Sequence, residues 1–166
     1  DEMFSHENKP ESVTVPDYRS ISDPTVFYDN GKWYLYPSYG MAWVSDNFTE
    51  WKSVRTDPYC PKYSPAITQW KGKYLLTSWN CPLYIGDSPV GLFTKLGKFI
   101  GTDGKEFTIC DPALFTDDDG RLYAYGFSAR REESFKYFYS QIIGYELDTE
   151  DPRKVLKGPV VLYEMN

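Results

Sequence analysis

Apolar and polar residues alternate along most of this chain, and short polar turns containing glycine interrupt the alternation at regular intervals. In TVFYDNGKWYLYPS, from Thr25 to Ser38, two aromatic-rich runs flank Asp29, Asn30 and Gly31, which predicts two half-buried strands joined by a tight hairpin. AITQWKGKYLLTSW, from Ala66 to Trp79, repeats the pattern around Trp70, Lys71 and Gly72. LFTDDDGRLYAYG, from Leu114 to Gly126, repeats it with one more turn residue, Asp117 to Gly120. A looser second hairpin follows each: AWVSDNFTEWKSV (Ala42 to Val54), LYIGDSPVGLFTKLG (Leu83 to Gly97) and IIGYELDTEDPRKVLKG (Ile142 to Gly158). The one helix candidate is SARREESFKYFYS, Ser128 to Ser140, whose charges and aromatics suit a long loop between strands equally well.

Four strands per unit is the content of a propeller blade. Recurrence at roughly 40 to 50 residues is the sequence signature of such repeats. The predicted fold class is therefore all-β, a β-propeller of which this chain covers about three blades, near residues 21–58, 59–106 and 107–160. VVLYEMN, at 160–166, reads as the approach to a fourth. Residues 1–20 form an N-terminal arm in which Pro10 and Pro16 oppose regular helix. Propellers close with four to eight blades, so the remaining blades are expected from further sequence or from another chain.

Composition sharpens this picture in one respect and narrows it in others. Fifteen Tyr, ten Phe and five Trp make the chain 18% aromatic, which suits sheets and also carbohydrate recognition. The net charge of −6 and the lack of a long basic run exclude nucleic acid as an expected partner. No run approaches 18 apolar residues, so no membrane span is expected. The polar N-terminus, DEMFSHENKPES, lacks the order of a signal peptide. That fits a secreted or periplasmic chain whose signal has been removed, with a cytoplasmic chain as the alternative. Cys60, Cys81 and Cys110 lack zinc-ligand spacing, and their odd number leaves at least one thiol outside any internal bond. A Cys60–Cys81 disulfide is one pairing open to it.

The candidate chemistry sits where each unit begins. SDPTVF, YSPAIT and CDPALF open the three units, so Asp23, Ser64 and Asp111 occupy equivalent positions, each directly before a proline. First strands line a propeller's channel, and equivalent positions at their entrances converge. Proline disfavours the helical region for the residue before it, which predicts an extended backbone at all three positions. Asp-Pro is also a common turn opening, but the serine in the middle copy shows that this local backbone pattern occurs without a carboxylate. The two aspartates therefore read as a functional pair.

These residues, Asp23-Pro24-Thr25-Val26-Phe27 through Leu35 and Cys110-Asp111-Pro112-Ala113-Leu114 through Tyr123, resemble glycoside hydrolase family 43 from about Ser20 to Tyr163. Members of that family are five-bladed propellers that cleave arabinofuranosides and xylosides. The resemblance implies an inverting glycosidase in which Asp23 is the general base that activates water, and Asp111 orients the general acid and tunes its pKa. Inverting hydrolysis places base and acid roughly 6.5 to 9.5 Å apart so that water fits between them. Family members carry the acid as a glutamate opening the fourth blade in a Glu-Gly phrase, which this chain lacks. Glu164 is the glutamate nearest that place and the candidate acid, although it falls in the lead-in segment. On this reading the chain alone is inactive. Tyr63, Ser64 and Trp79 are the implied substrate-binding residues, because Tyr63-Ser64-Pro65 stands where relatives have a Trp-Ala-Pro platform under the sugar.

Other features have plainer readings. Trp33 and Tyr74 match across repeats and read as blade core, Asp117 to Asp119 as a solvated turn, and His6 as exposed. No cofactor is required; calcium stays open, since relatives hold a channel ion with a histidine from a late blade. The expected partner is an oligo- or polysaccharide. Two rivals remain: a retaining fructosidase, for which Ser22-Asp23-Pro24-Thr25 is a poor nucleophile phrase, and a non-catalytic carbohydrate-binding propeller.

Overall fold

The computed structural model describes residues 22–38, 42–54, 56, 63–131 and 138–165. The N-terminal arm with His6, and Cys60, lie outside them. The described chain holds fourteen strands and no helix. Strands β1 (Thr25–Asp29), β2 (Lys32–Tyr36), β3 (Ala42–Ser45) and β4 (Lys52–Val54) form one antiparallel sheet in sequence order. A second contains β5 (Ala66–Trp70), β6 (Lys73–Thr77), β7 (Leu83–Gly86) and β8 (Phe93–Gly97). After a two-stranded ribbon, β9 (Phe99–Ile100) and β10 (Glu106–Phe107), the third sheet contains β11 (Cys110–Thr116), β12 (Leu122–Arg131), β13 (Phe138–Leu147) and β14 (Val155–Met165). Three four-stranded blades are present, and they do not close into a ring.

Local sequence accounts for the hairpins. Asn30-Gly31 and Lys71-Gly72 are the two-residue loops of β1–β2 and β5–β6, with φ of 46° and 80° in the first and 49° and 72° in the second. Positive φ at both central residues is the turn whose twist matches paired strands. The third hairpin uses Asp117 instead, whose carboxylate accepts from the backbone N–H groups of Asp119 (3.2 Å) and Arg121 (3.0 Å). Arg121 donates through Nε to Asp119 at 2.9 Å. Hydrogen bonds from Arg121, with Asp117 alongside, hold the Asp119 carboxyl down to about 2. Asp117 and Asp119 thus serve the turn, and Asp118 is exposed on it.

Two expectations are corrected here. Residues 160–165, read as an approach to a fourth blade, are the outer strand of the third, because β14 pairs with β13 from Leu147↔Val155 to Ser140↔Met165. The helix candidate 128–140 begins and ends as strand, with β12 and β13 paired out to Arg131↔Phe138.

The blades pack face to face through two cores. Between blades one and two lie Tyr34, Tyr36, Ala42, Ile67, Tyr74, Leu76 and Phe93. The Tyr74 hydroxyl reaches across to Asp29 Oδ2 at 2.7 Å. Between blades two and three lie Leu75, Leu83, Phe99, Ile109, Leu122, Ala124, Leu147 and Val155. Residues 74 and 75 thus face opposite neighbours, as the two-residue period of a strand requires. That same period explains why Trp33, equivalent to Tyr74, is only half-buried: among the described residues no blade stands in front of its face of blade one. Trp33 packs there on Tyr28 (4.6 Å between centroids) and Phe48 (4.8 Å). On the opposite side, Phe115, Val160, Val161, Leu162 and Tyr163 of blade three are exposed.

Candidate functional site

Each blade opens with the same backbone irregularity. In blade three, Cys110 pairs with Phe127 and Ala113 with Tyr125, so Asp111 and Pro112 oppose a single residue, Gly126. In blade one, Ser38 N donates to Ser22 O at 2.8 Å before Thr25 pairs with Tyr36. In blade two, Trp79 N donates to Tyr63 O at 2.8 Å before Ala66 pairs with Thr77. Three equivalent bulges result, and bulges re-aim side chains at sheet ends. Proline suits the bulge because it has no N–H to leave unpaired.

The residues before these prolines are not extended, which corrects the sequence reading. Asp23, Ser64 and Asp111 have φ of 47°, 48° and 45°, all in the left-handed region. Proline does exclude the right-handed helical region for its predecessor, but the bulge resolves that exclusion by crossing to positive φ. Non-glycine residues there are uncommon, with aspartate among the better tolerated. Three such residues at equivalent positions mark a constrained site.

Hydrogen bonds join the three. Ser38 Oγ donates to Asp23 Oδ2 at 2.9 Å and accepts from Ser64 N at 2.9 Å. Ser64 Oγ donates to Asp111 Oδ1 at 3.0 Å. The chain runs from carboxylate to carboxylate across all three blades. Neighbouring blades are also tied along their first strands, where Thr25 Oγ1 donates to Pro65 O at 2.6 Å and Thr116 Oγ1 to Gln69 O at 2.6 Å. Both aspartates are exposed while Ser38 is fully buried. Solvent-facing carboxylates on a partly buried polar frame can accept a proton from a bound water or hold a second acid in place.

The remaining site residues line one flank. Tyr63, 39% exposed, meets Trp79 edge-on at 5.9 Å between centroids, and Trp79 Nε1 donates to Cys110 Sγ at 3.0 Å. The aromatic pair adjoins Ser64. Burial pushes the Cys110 thiol above its usual range; the Trp79 N–H opposes this, and the charge of Asp111 adds to the rise. The thiol is therefore protonated at neutral pH and a poor nucleophile. Cys81 is also a free thiol, buried; Cys60, its suggested partner, lies outside the described residues. Glu164 lies elsewhere: on the outermost strand β14 it is paired across the ladder with Gln141, whose amide donates to its carboxylate. Sequence reasoning passes over Ser38, because it closes a hairpin fifteen positions from Asp23 and the other two repeats carry Trp79 and Phe127 in its place. Among the described residues no cluster of three or more His, Cys, Asp or Glu side chains is placed to hold a metal ion, and no helix is long and apolar enough to cross a membrane.

Gly126 connects blade packing to this site. A Cβ on it would stand 2.2 Å from Ile109 Cγ2 and 3.0 Å from the Cys110 carbonyl oxygen. Gly126→Ala is expected to destabilise the protein by about 1 to 3 kcal/mol, read as a lowered denaturation midpoint, and to displace the Asp111 bulge.

Among solved structures, a thermostable family-43 glycoside hydrolase superposes with a TM-score of 0.66 at 19% identity, covering 87% of this chain and 53% of its own. The fold is that of the family-43 glycoside hydrolases. An α-L-arabinofuranosidase from Clostridium thermocellum matches with a TM-score of 0.59 at 18% identity, over 87% of this chain and 56% of its own. A family-43 arabinoxylan arabinofuranohydrolase from Bacillus subtilis, in complex with cellotetraose, matches with a TM-score of 0.59 at 20% identity, over 84% and 40%. The chain thus spans about half the length of these family-43 structures. No protein-family model matches the sequence, and no curated protein does.

Proposed function

We propose that the chain is the base-bearing part of an inverting family-43 glycosidase acting on arabinofuranosides or xylosides of plant-type glycans. The observation that carries this is the Asp23–Ser38–Ser64–Asp111 chain, which holds two solvent-facing carboxylates on three equivalent bulges of a family-43 fold. Asp23 takes a proton from water as it attacks the anomeric carbon. Asp111 orients the acid that protonates the leaving oxygen and raises its pKa by like-charge repulsion. Tyr63 and Trp79 offer apolar ring surface to a sugar face. The general acid comes from further blades packed on the open faces, because Glu164 lies on the outer strand β14, opposite Gln141. That same placement of Glu164 favours a second reading, a non-catalytic propeller that binds glycans at the aromatic flank.

The deciding experiment follows hydrolysis of arabinan and arabinoxylan oligosaccharides by the assembled propeller, with the first-formed anomer observed by proton NMR. Inverted product is expected. Retained product would replace the assignment by a retaining mechanism of the fructosidase kind, and binding without turnover would favour the binding propeller.

A further inference from the structure

Blade two contributes no carboxylate to the site, yet both carboxylates are fastened to it. Asp23 is reached through Ser38 from the backbone N–H of Ser64, and Asp111 is reached by the Ser64 hydroxyl. We propose that Ser64, with the buried Ser38, is a positioning residue that sets the two carboxylates relative to one another, so that the middle blade acts as the gauge of the catalytic pair. The proposal rests on reading Asp23 and Asp111 as a hydrolytic pair.

The chemistry at position 64 explains the departure from repeat symmetry. With aspartate there, as in the other two copies, a third carboxylate would branch from about where Ser64 Oγ now lies, 3.0 Å from Asp111 Oδ1. Two carboxylates at that range cannot both ionise readily. A serine keeps the left-handed bulge, adds no charge and turns a repulsive neighbour into a donor. Ser38 completes the frame, since its one oxygen donates to Asp23 and accepts from Ser64 N with no solvent contact. A hydroxyl in that position locks two blades together through a single atom.

The test separates the hydroxyl from the backbone. Ser64→Ala and Ser64→Gly both remove the donor, but glycine tolerates φ of 48° without strain whereas alanine does not. In the assembled enzyme both variants are expected to lower kcat about 10-fold to 100-fold, the scale of a small misplacement of reacting groups, with KM within about 2-fold. Glycine is expected to be the more stable of the two. In both, the Asp111 carboxyl carbon resonance is expected to move, and in Ser38→Ala that of Asp23. Wild-type kcat in Ser64→Gly, or an unmoved Asp111 resonance, would overturn the proposal. If the wild-type assembly hydrolyses no glycan, the hydrolytic reading fails; the carboxyl resonances still decide whether the serines set the aspartates.

Discussion

Asp23→Asn is expected to lower kcat for glycan hydrolysis by about 10²- to 10⁴-fold, the usual contribution of a positioned base, while the denaturation midpoint stays close to wild type. The two halves of this expectation have separate causes. An amide cannot accept the proton that the attacking water must lose, so the chemical step suffers directly. The fold survives because the amide side chain keeps every structural role of the aspartate. Asparagine tolerates the left-handed region as aspartate does, so φ of 47° is retained. Its amide oxygen can accept from Ser38 Oγ in place of Asp23 Oδ2. Asp23→Ala is the informative contrast. It gives up the left-handed tolerance and leaves the fully buried Ser38 hydroxyl without its acceptor, so stability falls together with activity. Undiminished turnover by Asp23→Asn in the assembled enzyme would remove Asp23 from the chemistry.

How much of this is legible in the sequence depends on the range of the interactions concerned. Blade count, hairpin positions and the equivalence of Asp23, Ser64 and Asp111 follow from period-two patterning and recurring turns, which are local. The exact loop is less readable: Asp29 and Trp70, grouped with the turns in the sequence, pair with Lys32 and Lys73 as the last strand residues, leaving two-residue loops. The left-handed backbone before each proline is not readable, since proline forbids one region and is silent about which of the others a bulge selects. Ser38 is invisible for a different reason: its partners are a side chain fifteen positions back and a backbone N–H twenty-six positions ahead. Residues 160–165 mislead because the second hairpin of the third repeat reads as ending at Gly158, although β14 continues through it to Met165. Proline is accommodated because the ladder bulges there: Gly144 pairs with Val160 and Glu146 with Lys157, so Gly158 and Pro159 oppose Tyr145 alone.

Packing between blades sets the distance between the Asp23 and Asp111 carboxylates, and Phe99→Ala is expected to be the most costly single change to it. Phe99 is fully buried between blades two and three. Its ring lies 5.8 Å from that of Phe107, which lies 5.2 Å from Tyr145. The backbone beside it is equally committed: Phe99 pairs with Phe107, and Ile100 N donates to Arg153 O at 2.7 Å. Neighbours held in this way cannot collapse into the space a ring vacates, so the cavity term is felt almost in full. The expected loss is about 3 to 5 kcal/mol, a large share of the roughly 5 to 15 kcal/mol typical of whole domains. Denaturant titration measures it, and Leu92→Ala is the control. Leu92 is 76% exposed, and its truncation should change stability by less than about 0.5 kcal/mol. Comparable small effects for both would mean that blades two and three are held by their backbone ties alone. A large effect confined to Phe99 places the rigidity of the Ser64–Asp111 contact in the apolar core beneath it, since that contact joins the same two blades.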